Sequence, residues 1–156
     1  MEPTKSSQLV EQVREVILTD FARTMESSES VIGKFILIAV GIEFLGACLD
    51  RQHPNATARS EKRFNLAILK LFPKNYHHFV KQESIPYLFT DFRCPVIHQF
   101  RAENSIFLSS INERKFDRHL TYNSDGSLIL LAEEFYKDLA SAGSELILRL
   151  ESPGIG

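Results

Sequence analysis

The spacing of apolar residues along the chain predicts a helical protein. From about Ser7 to Met25, apolar side chains recur at three- and four-residue steps, with charged side chains on the other side. The same spacing predicts helices from about Ser60 to Leu71 and from about Ile129 to Leu150. The segment from about Glu29 to Asp50 is apolar on nearly every face, which is typical of the central helix of a bundle.

One further segment, Ser84 to Arg101, combines a helical pattern with reactive side chains. Its apolar residues stand four apart and predict one buried helix face: Leu88, Phe92, Val96 and Phe100. The same segment carries an aspartate, two arginines, a cysteine and a histidine. It is therefore predicted to be both a core helix and the main carrier of chemistry.

Between about residues 104 and 128 the helical period disappears. Short stretches alternate between apolar and polar residues, and Asn123 to Gly126 has the composition of a tight turn, so a small β-hairpin or an irregular arm is expected. Residues 151–156 are predicted to be a frayed tail. The fold class is therefore all-α: residues 1–156 form a single domain, an up-and-down bundle of four or five helices with a small β-hairpin insertion at about 104–128.

Chain length, cysteine content and charge indicate where the protein folds and functions. With 156 residues the chain can bury a hydrophobic core that is stable without a disulfide or a metal ion. Its two cysteines, Cys48 and Cys94, lie in helical patterns, which predicts free thiols and a reducing cytoplasm. The most apolar segment is interrupted by Lys34 and Glu43. A charge near the centre of a bilayer costs about 2.5 to 3.5 kcal/mol, so this segment is predicted to be buried in protein and not in a membrane.

Charge is distributed unevenly. Residues 51–81 hold seven basic side chains and one acidic side chain, whereas the whole chain has a net charge of −2. This basic third could neutralise the acidic remainder or a partner subunit, or it could bind an anion such as the RNA backbone. The candidate RNA- or anion-binding residues are Arg59, Lys62, Arg63, Lys70 and Lys74.

Arg93 and His98 are the strongest candidates for catalysis. Arginine presents a planar fork of donors that fits a phosphate group, and histidine, with a pKa of about 6.5, can exchange a proton at neutral pH. Together they could cleave a phosphodiester without a metal ion, with Asp91 orienting either one and Cys94 as a neighbour. The spacing of histidine, cysteine and acidic residues matches no recognised zinc motif, so neither a metal nor another cofactor is predicted.

The pattern Arg93-Cys-Pro-Val-Ile-His98, placed on a late helix of a small all-α bundle, resembles the signature of the HEPN superfamily. The resemblance implies a homodimer in which the two Arg-x₄₋₆-His motifs meet, with Arg93 and His98 as the catalytic pair. It also implies either metal-independent RNA cleavage in a toxin, RNA-processing or phage-defence system, with an antitoxin-like partner, or binding of RNA or a nucleotide. The position after the arginine is often polar in active members, and here it is Cys94.

Two alternatives remain open at this stage. The chain contains a second match, Arg114 to His119, in the polar segment. Arg93 could also be structural, paired with a nearby carboxylate such as Asp91, with His98 packed against a backbone partner; the protein would then be a non-catalytic interaction domain. On an ideal helix Arg93 and His98 point about 140° apart, and Pro95 is expected to bend the helix between them.

Overall fold

A computed structural model describes residues 3–50, 59–111 and 118–152. This part of the chain is mostly helical and contains six α-helices and one small mixed sheet. The α-helices are α1 (Lys5–Gln12), α2 (Phe21–Ser27), α3 (Val31–Leu49), α4 (Ser60–Leu71), α5 (Cys94–Gln99) and α6 (Ala132–Glu151). Two π-helical segments, Val13–Asp20 and Phe89–Arg93, and a 3₁₀ segment, Lys74–Val80, complete the helical part. The strands are β1 (Ile106–Ser109), β2 (Thr121–Tyr122) and β3 (Leu128–Leu131).

Helix α3 is the helix against which most of the others pack, in contact with α4, α5 and α6. Its first turn is capped by Ser30, whose Oγ accepts a hydrogen bond from the backbone N–H of Gly33 at 3.0 Å. By length and composition alone, α3 could cross a membrane, and 44% of its most apolar window is buried inside the protein. A core helix of a soluble protein passes the same test.

Helix α3, predicted to be the central helix of a bundle, is not buried on every face. One face is fully buried, but a stripe of apolar residues at four-residue steps remains partly open to solvent, with Val40 47% exposed. This apolar stripe consists of Ile32, Ile36, Val40 and Phe44. The helix therefore lies at one side of the core and not at its centre.

Gly46 explains why α3 carries glycine near its C-terminal end. A Cβ atom at this position would overlap the backbone carbonyl of Arg63 in α4. The two helices therefore approach at a distance that any larger residue prevents, and the neighbour is α4.

The predicted β excursion is present, with a topology that the sequence did not indicate. Strands β2 and β3 pair antiparallel around the turn at Asn123, as a hairpin would, whereas β1 pairs with β3 in parallel. The predicted start of the last helix at Ile129 is wrong, because residues 128–131 form β3 and α6 begins at Ala132. All four residues of β3 are buried, and such a short apolar run fits a strand or a helix equally well by periodicity.

Three polar side chains join this sheet to the helices. The backbone N–H of Leu131 donates to His119 Nδ1 at 3.0 Å, which leaves the proton of the neutral ring on Nε2. His119 Nε2 lies 2.6 Å from Tyr76 Oη, and Tyr76 donates its hydroxyl proton to Asp138 at 2.5 Å. Burial lowers the pKa of His119 to about 4, and burial together with the Asp138 bond raises the pKa of Tyr76.

Replacing Gly46 by alanine should destabilise the protein by about 3 kcal/mol, because overpacking against backbone cannot be relieved by a rotamer change. Urea unfolding monitored by circular dichroism measures the loss. Gly143→Ala in α6 is the control. Its added Cβ would meet only side-chain atoms, the nearest at 3.3 Å. This control should stay within about 1 kcal/mol of the wild type, and equal stability of both variants would contradict the close approach of α3 and α4.

The protein should lose stability in acid through His119. Its pKa is about 4 when folded, against the ordinary value of 6.5, so the unfolded chain binds more protons between these two values. The free energy of unfolding should be highest above pH 6.5 and fall by about 3 kcal/mol as the pH drops to 4. Urea titrations at several pH values measure the slope, and His119→Gln should reduce it. An unchanged slope in that variant would show that His119 does not titrate in this way.

Candidate functional site

The segment carrying Arg93 and His98 changes its helical form at a proline. Pro95 lacks an N–H, so the carbonyl of Asp91, four residues earlier, loses its usual helical donor. The backbone N–H of Glu103 takes that place and donates to the Asp91 carbonyl at 2.9 Å. The turn before the proline is the π-helical segment Phe89–Arg93, a form that recurs at functional sites, and α5 follows it.

The predicted buried face of this segment is correct in three of its four positions. Leu88, Phe92 and Val96 are fully buried. The prediction for Phe100 is wrong, since its side chain is 67% exposed. Helix α5 ends at Gln99, and Phe100 takes a left-handed backbone conformation with φ 58° and ψ 33°, which turns it away from the helical face.

Arg93 is held by Glu43 of α3. Its Nε and Nη2 atoms both donate to Glu43 Oε2, at 2.9 and 2.6 Å, and its guanidinium carbon lies 5.4 Å from the centre of the Phe89 ring. Within the described residues, Arg93 Nη1 and Glu43 Oε1 make no hydrogen bond. The pair is largely buried, with 15% of the Arg93 side chain exposed, and Glu43 anchors one edge of the guanidinium.

The predicted roles of Asp91 do not agree with its contacts. Asp91 Oδ2 accepts hydrogen bonds from the backbone N–H of Tyr87 and from Ser105 Oγ, at 3.0 and 3.2 Å, and Thr90 donates to Oδ1. The carboxylate thus fastens the start of the segment and neither pairs with Arg93 nor orients His98. Cys94 is a half-buried free thiol packed against the core.

The two histidines of the Arg-x₄-His matches lie in opposite surroundings. His98 is exposed near the end of α5, and its ring makes no hydrogen bond to any described residue. His119 is largely enclosed, with a partner on each ring nitrogen. Arg114, the arginine of the second match, lies outside the described residues. Only His98 presents its imidazole to solvent, where a substrate could reach it.

The candidate anion-binding residues divide into two groups. Arg59 donates to both oxygens of Asp50 at 2.6 and 3.0 Å, and Arg63 is buried with its Nε 3.2 Å from the same carboxylate. Lys62, Lys70 and Lys74 are exposed. The first group joins α4 to the end of α3, and the second remains at the surface. Arg51 and His53, which belong to the same basic third, lie outside the described residues.

Metal ligands are not gathered anywhere in residues 3–50, 59–111 and 118–152: no three histidine, cysteine or acidic side chains lie close enough to hold an ion. Sequence reasoning missed Glu43 as a site residue. The available signal was a single acidic side chain in the most apolar helix, since a buried or half-buried charge requires a partner.

Comparison with models of known families, with characterised proteins and with solved structures finds no significant match for this chain.

Proposed function

We propose that this chain is an RNA-processing protein of the HEPN type, a homodimer that cleaves RNA without a metal ion. The observation that carries the proposal is the exposed imidazole of His98, five residues from an arginine whose guanidinium is anchored on one side only. The competing histidine, His119, supports the choice because both of its ring nitrogens have partners.

The chemistry follows from the two side chains. His98 accepts the proton of a ribose 2′-hydroxyl, whose oxygen then attacks the adjacent phosphorus while the bond to the 5′-oxygen breaks. A second copy of His98, supplied by the other subunit, protonates the departing 5′-oxygen. Arg93 donates from its free edge to the phosphate oxygens as negative charge develops on them. The products are a 2′,3′-cyclic phosphate and a 5′-hydroxyl.

Glu43 contributes to this arrangement. It occupies the Nε side of Arg93 and thereby fixes the direction of the remaining donors, Nη1 and the second hydrogen of Nη2. A guanidinium fixed before the substrate arrives loses less side-chain entropy on binding phosphate.

The dimer is proposed to form through the apolar stripe of α3, with the helices arranged as the up-and-down bundle of the HEPN type. The stripe supports this because it presents four apolar residues on a helix that also carries Glu43 and contacts α5. A two-fold axis beside the stripe would bring both Arg93–His98 pairs to one cleft. The exposed residues Lys62, Lys70 and Lys74 would then attract the RNA backbone at longer range.

A second function is favoured by one contact. The short ion pair between Arg93 and Glu43 also fits a purely structural arginine that joins the π-helical segment before α5 to α3. In that case the chain is a non-catalytic helical domain that dimerises or binds a protein partner, and Arg93 and His98 are structural.

Labelled RNA incubated with the protein in EDTA should be cleaved, and the fragments should end in 2′,3′-cyclic phosphate. His98→Ala should lower the rate by about 100-fold or more, the size expected when a general acid or base is removed. His78→Ala, at an exposed histidine of the 3₁₀ segment, is the matched control and should cleave at the wild-type rate. Equal rates in wild type and His98→Ala, or no cleavage by the wild type, would favour the interaction domain.

Val40→Glu should convert the dimer into a monomer, because it places a charge in the middle of the apolar stripe. Light scattering coupled to size exclusion measures the mass. Leu69→Glu is the control, since Leu69 of α4 is 48% exposed, almost the same as Val40, and lies outside the stripe. Dissociation by Leu69→Glu alone, or by neither change, would place the dimer contact elsewhere.

A further inference from the structure

The backbone conformation of Phe100 directs its side chain toward solvent. Its left-handed conformation, φ 58° and ψ 33°, is uncommon for a bulky residue. The backbone N–H groups of Phe100 and Arg101 both point to the carbonyl of Pro95, which closes the end of α5 around this conformation. The protein tolerates a strained backbone here and leaves a phenyl ring 67% exposed, and such outliers concentrate at functional positions.

The Phe100 ring, two residues after His98 in the sequence, borders a shallow groove. The groove has a volume of about 390 Å³ and is walled by Val31 and Ile32 of α3 and by Ile106 and Leu108 of β1. Arg101 also lines it, with an exposed side chain whose contact with Glu103 is long, 3.9 Å. An aromatic face, an apolar wall and a cation thus occur together at a groove that begins two residues along the chain from the candidate catalytic histidine.

Resting on the function proposed above, we propose that Phe100 stacks against an unpaired nucleobase of the RNA, on the strand that continues from the phosphate at Arg93 and His98. Aromatic side chains bind splayed single-stranded bases of any sequence, while in a duplex the faces of the bases are covered by their neighbours. Arg101 is placed to bind the adjoining backbone phosphate.

The surroundings of the ring favour RNA over a second copy of the chain as its occupant. His98, Gln99 and Arg101 are polar and exposed around Phe100. The core of a protein interface is depleted of charge, whereas mixed aromatic and basic surfaces are the usual platform for single strands. The apolar stripe meets this groove at Ile32, and its other residues, Ile36, Val40 and Phe44, are the better surface for dimerisation.

The test uses a single-stranded oligonucleotide that cannot be cleaved, because 2′-deoxy sugars replace ribose, with the fluorescent base 2-aminopurine. Binding to the wild type should quench the fluorescence, and Phe100→Ala should weaken binding by about 5- to 150-fold, as expected for one lost stacking contact. Phe100→Trp should retain affinity and quenching. Tyr122→Ala is the control, since Tyr122 is another exposed aromatic residue, 54% accessible, on β2. Its affinity should equal that of the wild type.

Three results would overturn the stacking proposal, and they are distinguishable. Wild-type affinity in Phe100→Ala, with RNA cleavage intact, would remove the stacking role while the proposed function stands. Dissociation of the dimer by Phe100→Ala, with unchanged affinity per subunit, would assign the ring to a second copy of the chain. A wild type that neither binds the oligonucleotide nor cleaves RNA would remove the proposed function and the stacking role together.

Discussion

Pro95 has no backbone N–H, and the shape of the candidate site follows from that missing donor. The carbonyl of Asp91 is left without a helical partner and accepts instead from the N–H of Glu103, a residue that lies beyond the end of α5. After α5 the chain therefore turns back toward the start of the segment, where Glu103 contacts Asp91. Helix α5 ends at Gln99, and the left-handed conformation of Phe100 begins this return. The same short segment thus supplies an anchored arginine, an exposed histidine and an exposed aromatic ring.

An ion pair between α3 and the π-helical segment Phe89–Arg93 orients the segment that carries the candidate site. Glu43 is a lone acidic side chain in an apolar helix, and its partner Arg93 reaches it from the π-helical turn before α5. The ion pair therefore fixes the position of one element relative to the other, and the apolar stripe of α3 runs beside it.

Sequence patterns predicted the helices well and the site only in part. Long apolar and amphipathic segments are specified by their own pattern. The helices predicted from about Ser7 to Met25, Glu29 to Asp50 and Ser60 to Leu71 therefore agree with the structure within a few residues. β3 was mistaken for the start of α6 because its four apolar residues carry no period of their own. The pairing of Arg93 with Glu43 depends on which helices become neighbours, and local spacing holds no information about that. Phe100 was assigned to the core because the pattern continues after the helix has ended.

The environment of each histidine separates the two sequence matches that spacing could not distinguish. His98 and His119 each follow an arginine at the same distance, yet one is open to solvent and the other is fixed between Leu131 and Tyr76. The most direct measurement of the central claim is a nuclear magnetic resonance titration of the whole protein with an uncleavable dinucleotide. The account predicts that the signals of the His98 ring and of the Arg93 guanidinium shift together at one affinity, while those of His119 do not move. Shifts confined to other residues, or none at saturating dinucleotide, would contradict it.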